Sequence, residues 1–176
     1  PSRDGVPVGG LFTGDATLQC LGAPCSFDGL TFKDNAGIDA GSQNSTIQNC
    51  VFLTNPNSVY NRATGLSVGS GWTVRFNTFA TTVVSGMEIM GAMSLYGNIF
   101  ACNGPAFTIS GANLTMCDYN LYDYNSVLKV SGALQTFAWW KAQGMDPHGL
   151  QASPMFVNAG AGDYSLQVAS MAVAGA

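Results

Sequence analysis

Charge is what this sequence has least of. Only 9% of its 176 residues are Asp, Glu, Lys or Arg, against about 25% in ordinary domains. Six Lys and Arg against ten acidic residues leave a net charge of −4, and Glu88 is the single glutamate. The basic footprint of a nucleic-acid-binding protein, or of one that sits on an anionic membrane, is therefore missing. So are the Glu, Lys and Arg that normally clothe the outer face of helices. No apolar run approaches the roughly 18–20 residues of a membrane span, so no membrane insertion is expected. His148 is the only histidine, and none of the five cysteines (Cys20, Cys25, Cys50, Cys102, Cys117) stands in a CxxC pair. That spacing gives no zinc site. The odd count leaves at least one thiol free, with Cys20–Cys25 the one locally plausible bridge. A charged-then-apolar leader is also lacking, so any signal peptide is expected to have been removed or to lie outside this sequence.

What is present points to a folded all-β chain. A hydrophobic content of 47% and a length of one ordinary domain suffice for a real core. Twenty-two Gly, with many Asn, Ser and Thr, call for short strands and frequent turns. The decisive pattern is an internal repeat. Segments 27–32 (FDGLTF), 47–52 (IQNCVF), 74–79 (VRFNTF), 95–100 (LYGNIF) and 117–122 (CDYNLY) align on Phe32, Phe52, Phe79, Phe100 and Tyr122, at intervals of 20, 27, 21 and 22 residues. Two positions before the anchor stand Leu30, Cys50, Asn77, Asn98 and Asn120; three after it stand Asn35, Asn55, Thr82, Asn103 and Asn125. A second strand-like set follows each turn, at 37–41, 65–69, 86–91, 106–111 and 127–132, each alternating apolar and polar residues. Leucine-rich repeats share this period but need a Leu-rich signature that is missing. Short strands, polar turns and recurring asparagines instead describe a solenoid. Aromatic anchors would stack inside it, and asparagines would form amide ladders with rungs about 4.7–4.9 Å apart. The expected fold is a parallel β-helix.

On these residues the chain resembles the right-handed parallel β-helix, or pectin-lyase-like, superfamily, over about residues 25–176. The tail strengthens the resemblance. In many bacterial β-helix proteins a Trp-bearing helical turn is followed by D-x-H-S, D-P-x-F, G-D-F-x-L and S-P-A-I. The counterparts here are Asp146 and His148, Pro154 to Phe156, Gly162 to Leu166, and Ser170 to Val173, with Gly149, Ser153 and Met171 departing from the pattern. Asp146-Pro147-His148 also resembles the D-P-H-D motif of alginate C5-epimerases. Gly149 fails its fourth position, and the segment falls in the tail, not on a coil strand.

The organisation follows. Residues 1–132 are expected to form the coils. Within them, 1–24 hold an irregular or partial first coil, with GLFTG (10–14) as its strand and a less regular stretch after it. Residues 54–64 form an inserted Asn- and Pro-containing loop. Residues 133–176 are expected to cap the C-terminal end with a short helix at 136–145, N-capped by Thr136, and strands at 155–157 and 164–168. No N-terminal cap is legible, which favours the C-terminal piece of a longer helix.

In the resembled superfamily the second strand set lines the substrate groove. Its outward residues here are Asp39, Ser67, Glu88, Thr108 and Lys129, one column at about 4.8 Å per coil. A uronate lyase needs a base beside an acidified proton. Lys129 is the candidate base, with Asp39 and Glu88 as oxygen ligands for Ca²⁺, although no cofactor is required. A hydrolase needs an acid and a base, about 6.5–9.5 Å apart for inversion, a distance that Asp39 and Glu88 could span. Ser67 and Thr108 would then contact substrate, with Arg62 overhanging from the inserted loop. An ordinary solvated ladder looks the same in sequence, and the Asp cluster of superfamily hydrolases is absent. A second outward column, Asp28, Gln48, Arg75, Tyr96 and Asp118, lies on a different face, with Arg75 solvated or paired. Trp139 and Trp140 could stack on sugar, but at a helix covering a coil end one of them is expected in the core.

The leading expectation is a secreted or cell-surface β-helix module that contacts polysaccharide, as part of a larger protein. One alternative is a polysaccharide lyase, epimerase or hydrolase using Asp39, Glu88 and Lys129. The other is a purely structural stalk or adhesin segment. Short loops at 81–85, 101–105 and 123–126 imply low walls beside the column, which favours a binder or stalk over an enzyme.

Overall fold

The computed structural model describes residues 8–14, 16–20, 24–34, 36–40, 44–54, 64–68, 70–80, 85–89, 91–109 and 114–174. They form a parallel β-solenoid, in which each coil contributes one strand to each of three faces. The first sheet runs Thr17–Cys20, Gly37–Ala40, Thr64–Val68, Ser85–Ile89, Pro105–Ile109 and Val127–Val130, all parallel, and ends on Ala133–Gln135, which turns back antiparallel. The second runs from the start of Ser26–Asp34 through Thr46–Gln48, Trp72–Arg75 and Met93–Tyr96 to Leu114–Asp118. The third runs from the end of Ser26–Asp34 through Val51–Thr54, Thr78–Phe79 and Ile99–Phe100 to Leu121–Tyr122 and Leu150–Gln151. Val8–Phe12 pairs with Ser26–Asp34 along the corner where the last two sheets meet. Thr17–Cys20 pairs in register with Gly37–Ala40, so the stretch after GLFTG is more regular than the sequence suggests.

The interior is built from columns. Phe12, Phe32, Phe52, Phe79, Phe100 and Tyr122 stack with centroids 5.3, 4.9, 4.8, 5.0 and 5.4 Å apart. These spacings follow the rise per coil, because in-register pairing places each ring over its copy. Burying each such ring stabilises the fold by about 1.5–3 kcal/mol. Inward residues of the first sheet, among them Ile38, Met87, Ile89, Phe107, Ile109 and Leu128, fill the opposite side of the core.

One column is polar. Cys50 N–H donates to Asn77 Oδ1 at 2.9 Å. Asn77 Nδ2 donates to Asn98 Oδ1 at 3.1 Å, and Asn98 Nδ2 to Asn120 Oδ1 at 3.0 Å. The same amides also donate to the carbonyls of Ile47, Val74 and Leu95, which saturates them inside the core. The ladder ends on Asp146, which receives Asn120 Nδ2 at 3.0 Å and the Tyr122 hydroxyl at 2.7 Å. A last rung faces donors and has no further copy to donate to, so an acceptor-only carboxylate fits where another amide would strand its N–H groups. Burial raises the Asp146 pKa, and the bonds from Tyr122 and Asn120 only partly oppose the rise. Gly149 is needed here, because a Cβ on it would stand 2.4 Å from the Asp146 carboxyl carbon.

At the second asparagine position the two described residues do not form a ladder rung. Asn103 and Asn125 are exposed at turns, while Asn35, Asn55 and Thr82 lie outside the described residues. In the coils of Asn103 and Asn125 the chain has left the core three residues past the anchor, and the amide meets water.

The C-terminal end is covered by the helix Phe137–Ala142, N-capped by Thr136, whose side chain accepts from Trp139 N–H. Phe137 tilts against Tyr122 at 4.9 Å, and Trp140 meets Phe107 edge-on at 5.5 Å. Trp140 is buried and Trp139 half-buried. The antiparallel hairpin Phe156–Asn158 with Asp163–Leu166 then folds back beside the third sheet. Cys20 and Cys25 form a disulfide, and Cys50, Cys102 and Cys117 are buried free thiols. Burial pushes the Cys50 thiol up to about 11, which keeps it protonated and inert at neutral pH.

Candidate functional site

The first-sheet column has the register expected of it. Asp39 pairs with Ser67, Ser67 with Glu88, Glu88 with Thr108, and Thr108 with Lys129. Asp39 and Glu88 are thus two strand spacings apart, about 9–10 Å, and so are Glu88 and Lys129. Glu88, Thr108 and Lys129 are half-buried. Arg62 and the side chains of Asp39 and Ser67 lie outside the described residues. Among the described residues, neither Glu88 nor Lys129 has an ion-pair partner, and no three His, Cys, Asp or Glu side chains converge to hold a metal ion.

On the second sheet the outward column is a paired network. Gln48 Nε2 donates to Asp28 Oδ2 and Asn49 Nδ2 to Asp28 Oδ1, both at 2.9 Å. These two bonds, aided by Arg75, hold the Asp28 carboxyl below its usual range. Arg75 Nε in turn donates to Gln48 Oε1 at 2.9 Å, and its guanidinium lies 5.9 Å from the Phe76 ring centroid. Arg75 is therefore paired, as its polar neighbours in the column suggest.

A groove of about 620 Å³ lies at the corner between the second and third sheets, where the C-terminal hairpin closes one side. Its floor is the turn that links the two sheets in successive coils. One position of that turn is left-handed in every described coil: Gly9, Gly29, Asn49, Phe76, Gly97 and Tyr119 have φ of 67°, 68°, 54°, 56°, 62° and 59°. Gly and Asn enter this region readily, whereas a bulky side chain there costs about 1–2 kcal/mol. Two of the six positions nevertheless carry an aromatic residue, and both face outward, Phe76 at 50% and Tyr119 at 42% exposure. Gly97 makes room for the first of them, since a Cβ on it would sit 2.8 Å from the Phe76 ring.

These rings form a row along the solenoid axis. Phe76 meets Tyr96 edge-on at 5.7 Å, Tyr96 lies tilted against Tyr119 at 5.2 Å, and Tyr119 stacks on His148 at 4.6 Å and 18°. Asp118 sets the last ring: its Oδ2 stands 2.9 Å from His148 Nδ1, and its Oδ1 accepts the His148 backbone N–H at 2.9 Å. Partial burial raises the Asp118 pKa, but the bonds from His148 and from the Tyr119 N–H outweigh it and leave the carboxyl below its ordinary range. Tyr164 and Ser165 of the hairpin face the row, and among the described residues no Asp, Glu, Lys or Arg lines the groove.

Sequence reasoning followed the columns on either side of this turn and passed over the turn itself. The signal was present one residue before the asparagine ladder, where Gly29, Asn49, Phe76, Gly97 and Tyr119 alternate between turn formers and aromatics. Comparison with protein-family models, with curated proteins and with solved structures gave no match.

Proposed function

We propose that this chain is a secreted or cell-surface β-helix module, part of a larger protein, that contacts polysaccharide, and that its kinship is with the pectin-lyase-like superfamily. The observation that carries this reading is a solvent-open groove walled by aromatic rings on a rigid solenoid of very low charge. Aromatic faces with a few hydroxyl and amide groups suit sugars, which present C–H faces and hydroxyl edges. The Cys20–Cys25 disulfide fits an oxidising compartment. Affinity electrophoresis through gels cast with neutral and mildly acidic polysaccharides tests the reading. Retarded migration in at least one gel is expected, and unretarded migration in all of them would favour the stalk reading.

A second reading keeps the first-sheet column as a catalytic row, because register pairing aligns Asp39, Ser67, Glu88, Thr108 and Lys129 on one face. Lys129 would act as base, Asp39 and Glu88 would hold Ca²⁺, and Ser67, Thr108 and Arg62 would bind substrate. Release of unsaturated uronides from polygalacturonate or alginate in the presence of Ca²⁺, lost in Lys129→Ala, would establish it.

A further inference from the structure

We propose that the row Phe76, Tyr96, Tyr119 and His148 is the ligand platform of this module, and that it takes an extended, uncharged polysaccharide chain lying along the solenoid axis. The inference rests on the polysaccharide reading above and deepens it, naming the face and the class of glycan.

Three independent observations converge. First, the backbone carries aromatic residues where the fold itself prefers glycine or asparagine. Of the left-handed turn positions, only Phe76 and Tyr119 hold large side chains, and both rings stand in the groove. Interior packing does not require them, because both side chains point outward and are about half exposed. A strained residue retained on the surface points to work done there. Second, the rings follow one another along the axis with centroids 5.7, 5.2 and 4.6 Å apart, packed edge-on, tilted and stacked, so one continuous aromatic strip runs along the groove. A compact ligand would not need a row of this kind. Third, among the described residues no Asp, Glu, Lys or Arg lines the groove, and the nearby Asp118 is paired with His148. The described lining thus offers neither a cation to recognise uronates nor a carboxylate to recognise a basic polymer. The Asp118 bonds fix the plane of His148, so the last ring is held ready before the ligand arrives.

The test uses Phe76→Asn and Tyr119→Asn, since Asn49 occupies the same turn position in another coil. Titration calorimetry with cello- and manno-oligosaccharides of increasing length, and with oligogalacturonates as the charged probe, is paired with thermal melting. Expected are binding of neutral oligosaccharides that strengthens with length until the row is covered, at least tenfold weaker binding by each variant, and melting temperatures equal to or above that of the parent. Three results would overturn the inference while the polysaccharide reading stands: neutral-glycan binding that survives both substitutions, binding confined to oligogalacturonate, or binding lost only in Lys129→Ala. Lowered melting temperatures in both variants would also overturn it, by showing that the rings serve the fold. Absence of binding to every probe would remove the reading and the inference together.

Discussion

Two neighbouring columns of this solenoid, one residue apart in every coil, obey opposite rules. The inner one, Asn77, Asn98, Asn120 and Asp146, is fully buried, each member bonded to the next. The outer one, Gly29, Asn49, Phe76, Gly97 and Tyr119, shares a left-handed backbone but alternates between residues that suit it and residues that do not. In the inner column a wrong residue strands buried donors, so the fold dictates chemistry rung by rung. In the outer column only the backbone is dictated, and the side chain is free to be chosen for what lies outside. Regularity marks structure here, and irregularity within a regular frame marks the surface that can be put to use.

Breaking the inner column should have the largest effect. Asn98→Ala removes one rung, taking the acceptor from the Asn77 backbone N–H and from one N–H of its side-chain amide, and the donor from the Val74 carbonyl. The expected loss is about 3–5 kcal/mol in urea-unfolding stability. At the ladder's end, Asp146→Ala should cost about 2–4 kcal/mol, and Gly149→Ala about 1–3 kcal/mol by forcing a methyl group against the same carboxyl. Asp146 also sets a pH signature. Its folded pKa is raised above the ordinary 3.8, so the native state binds more protons than the unfolded chain just above that value. Stability should therefore fall as pH rises from 3.8 to the raised value, and Asp146→Asn should flatten that slope in denaturation curves measured across the window.

Asp118 carries the opposite sign. Its lowered pKa contributes stability that is present above 3.8 and lost as pH falls through the folded value. His148 is 60% exposed, so solvent screens the pair, and Asp118→Asn should change stability by less than about 1 kcal/mol. The smallest effect belongs to the outer column. Phe76→Asn and Tyr119→Asn trade lost ring contacts against about 1–2 kcal/mol of relieved backbone strain, so melting temperatures should stay level or rise slightly. A large destabilisation by either would erase the contrast between the columns.

Much of the inner architecture was legible in the sequence. The aromatic anchors and the alternation of the first-sheet strands recur often enough for register to be read from spacing alone. The first-sheet column of Asp39 to Lys129 was read with the correct strand pairing for the same reason. The ladder's last rung was not legible, because Asp146 follows Asn120 across the capping helix, and an intervening insertion hides periodicity. Nor was the groove. One of its walls is the C-terminal hairpin, and nothing in residues 156–166 states which corner of the solenoid they will fold against. The turn column was visible but uninformative until φ was known, since Phe and Tyr among Gly and Asn read as substitutions at a loop.

The ladder also has a direction. Every amide passes one N–H towards the C-terminal end, and Asp146 accepts without donating onward, so the row terminates as a chain of dominoes does against a wall. Length can therefore be altered in the middle but not at that end. An inserted duplicate of residues 99–120, one 22-residue period, would bring its own asparagine and hand the bond on. It would also add a tyrosine to the outer row. A coil added beyond Asp146 would meet a carboxylate with nothing to give. The molecule is a ruler that can be lengthened only by inserting graduations before its stop.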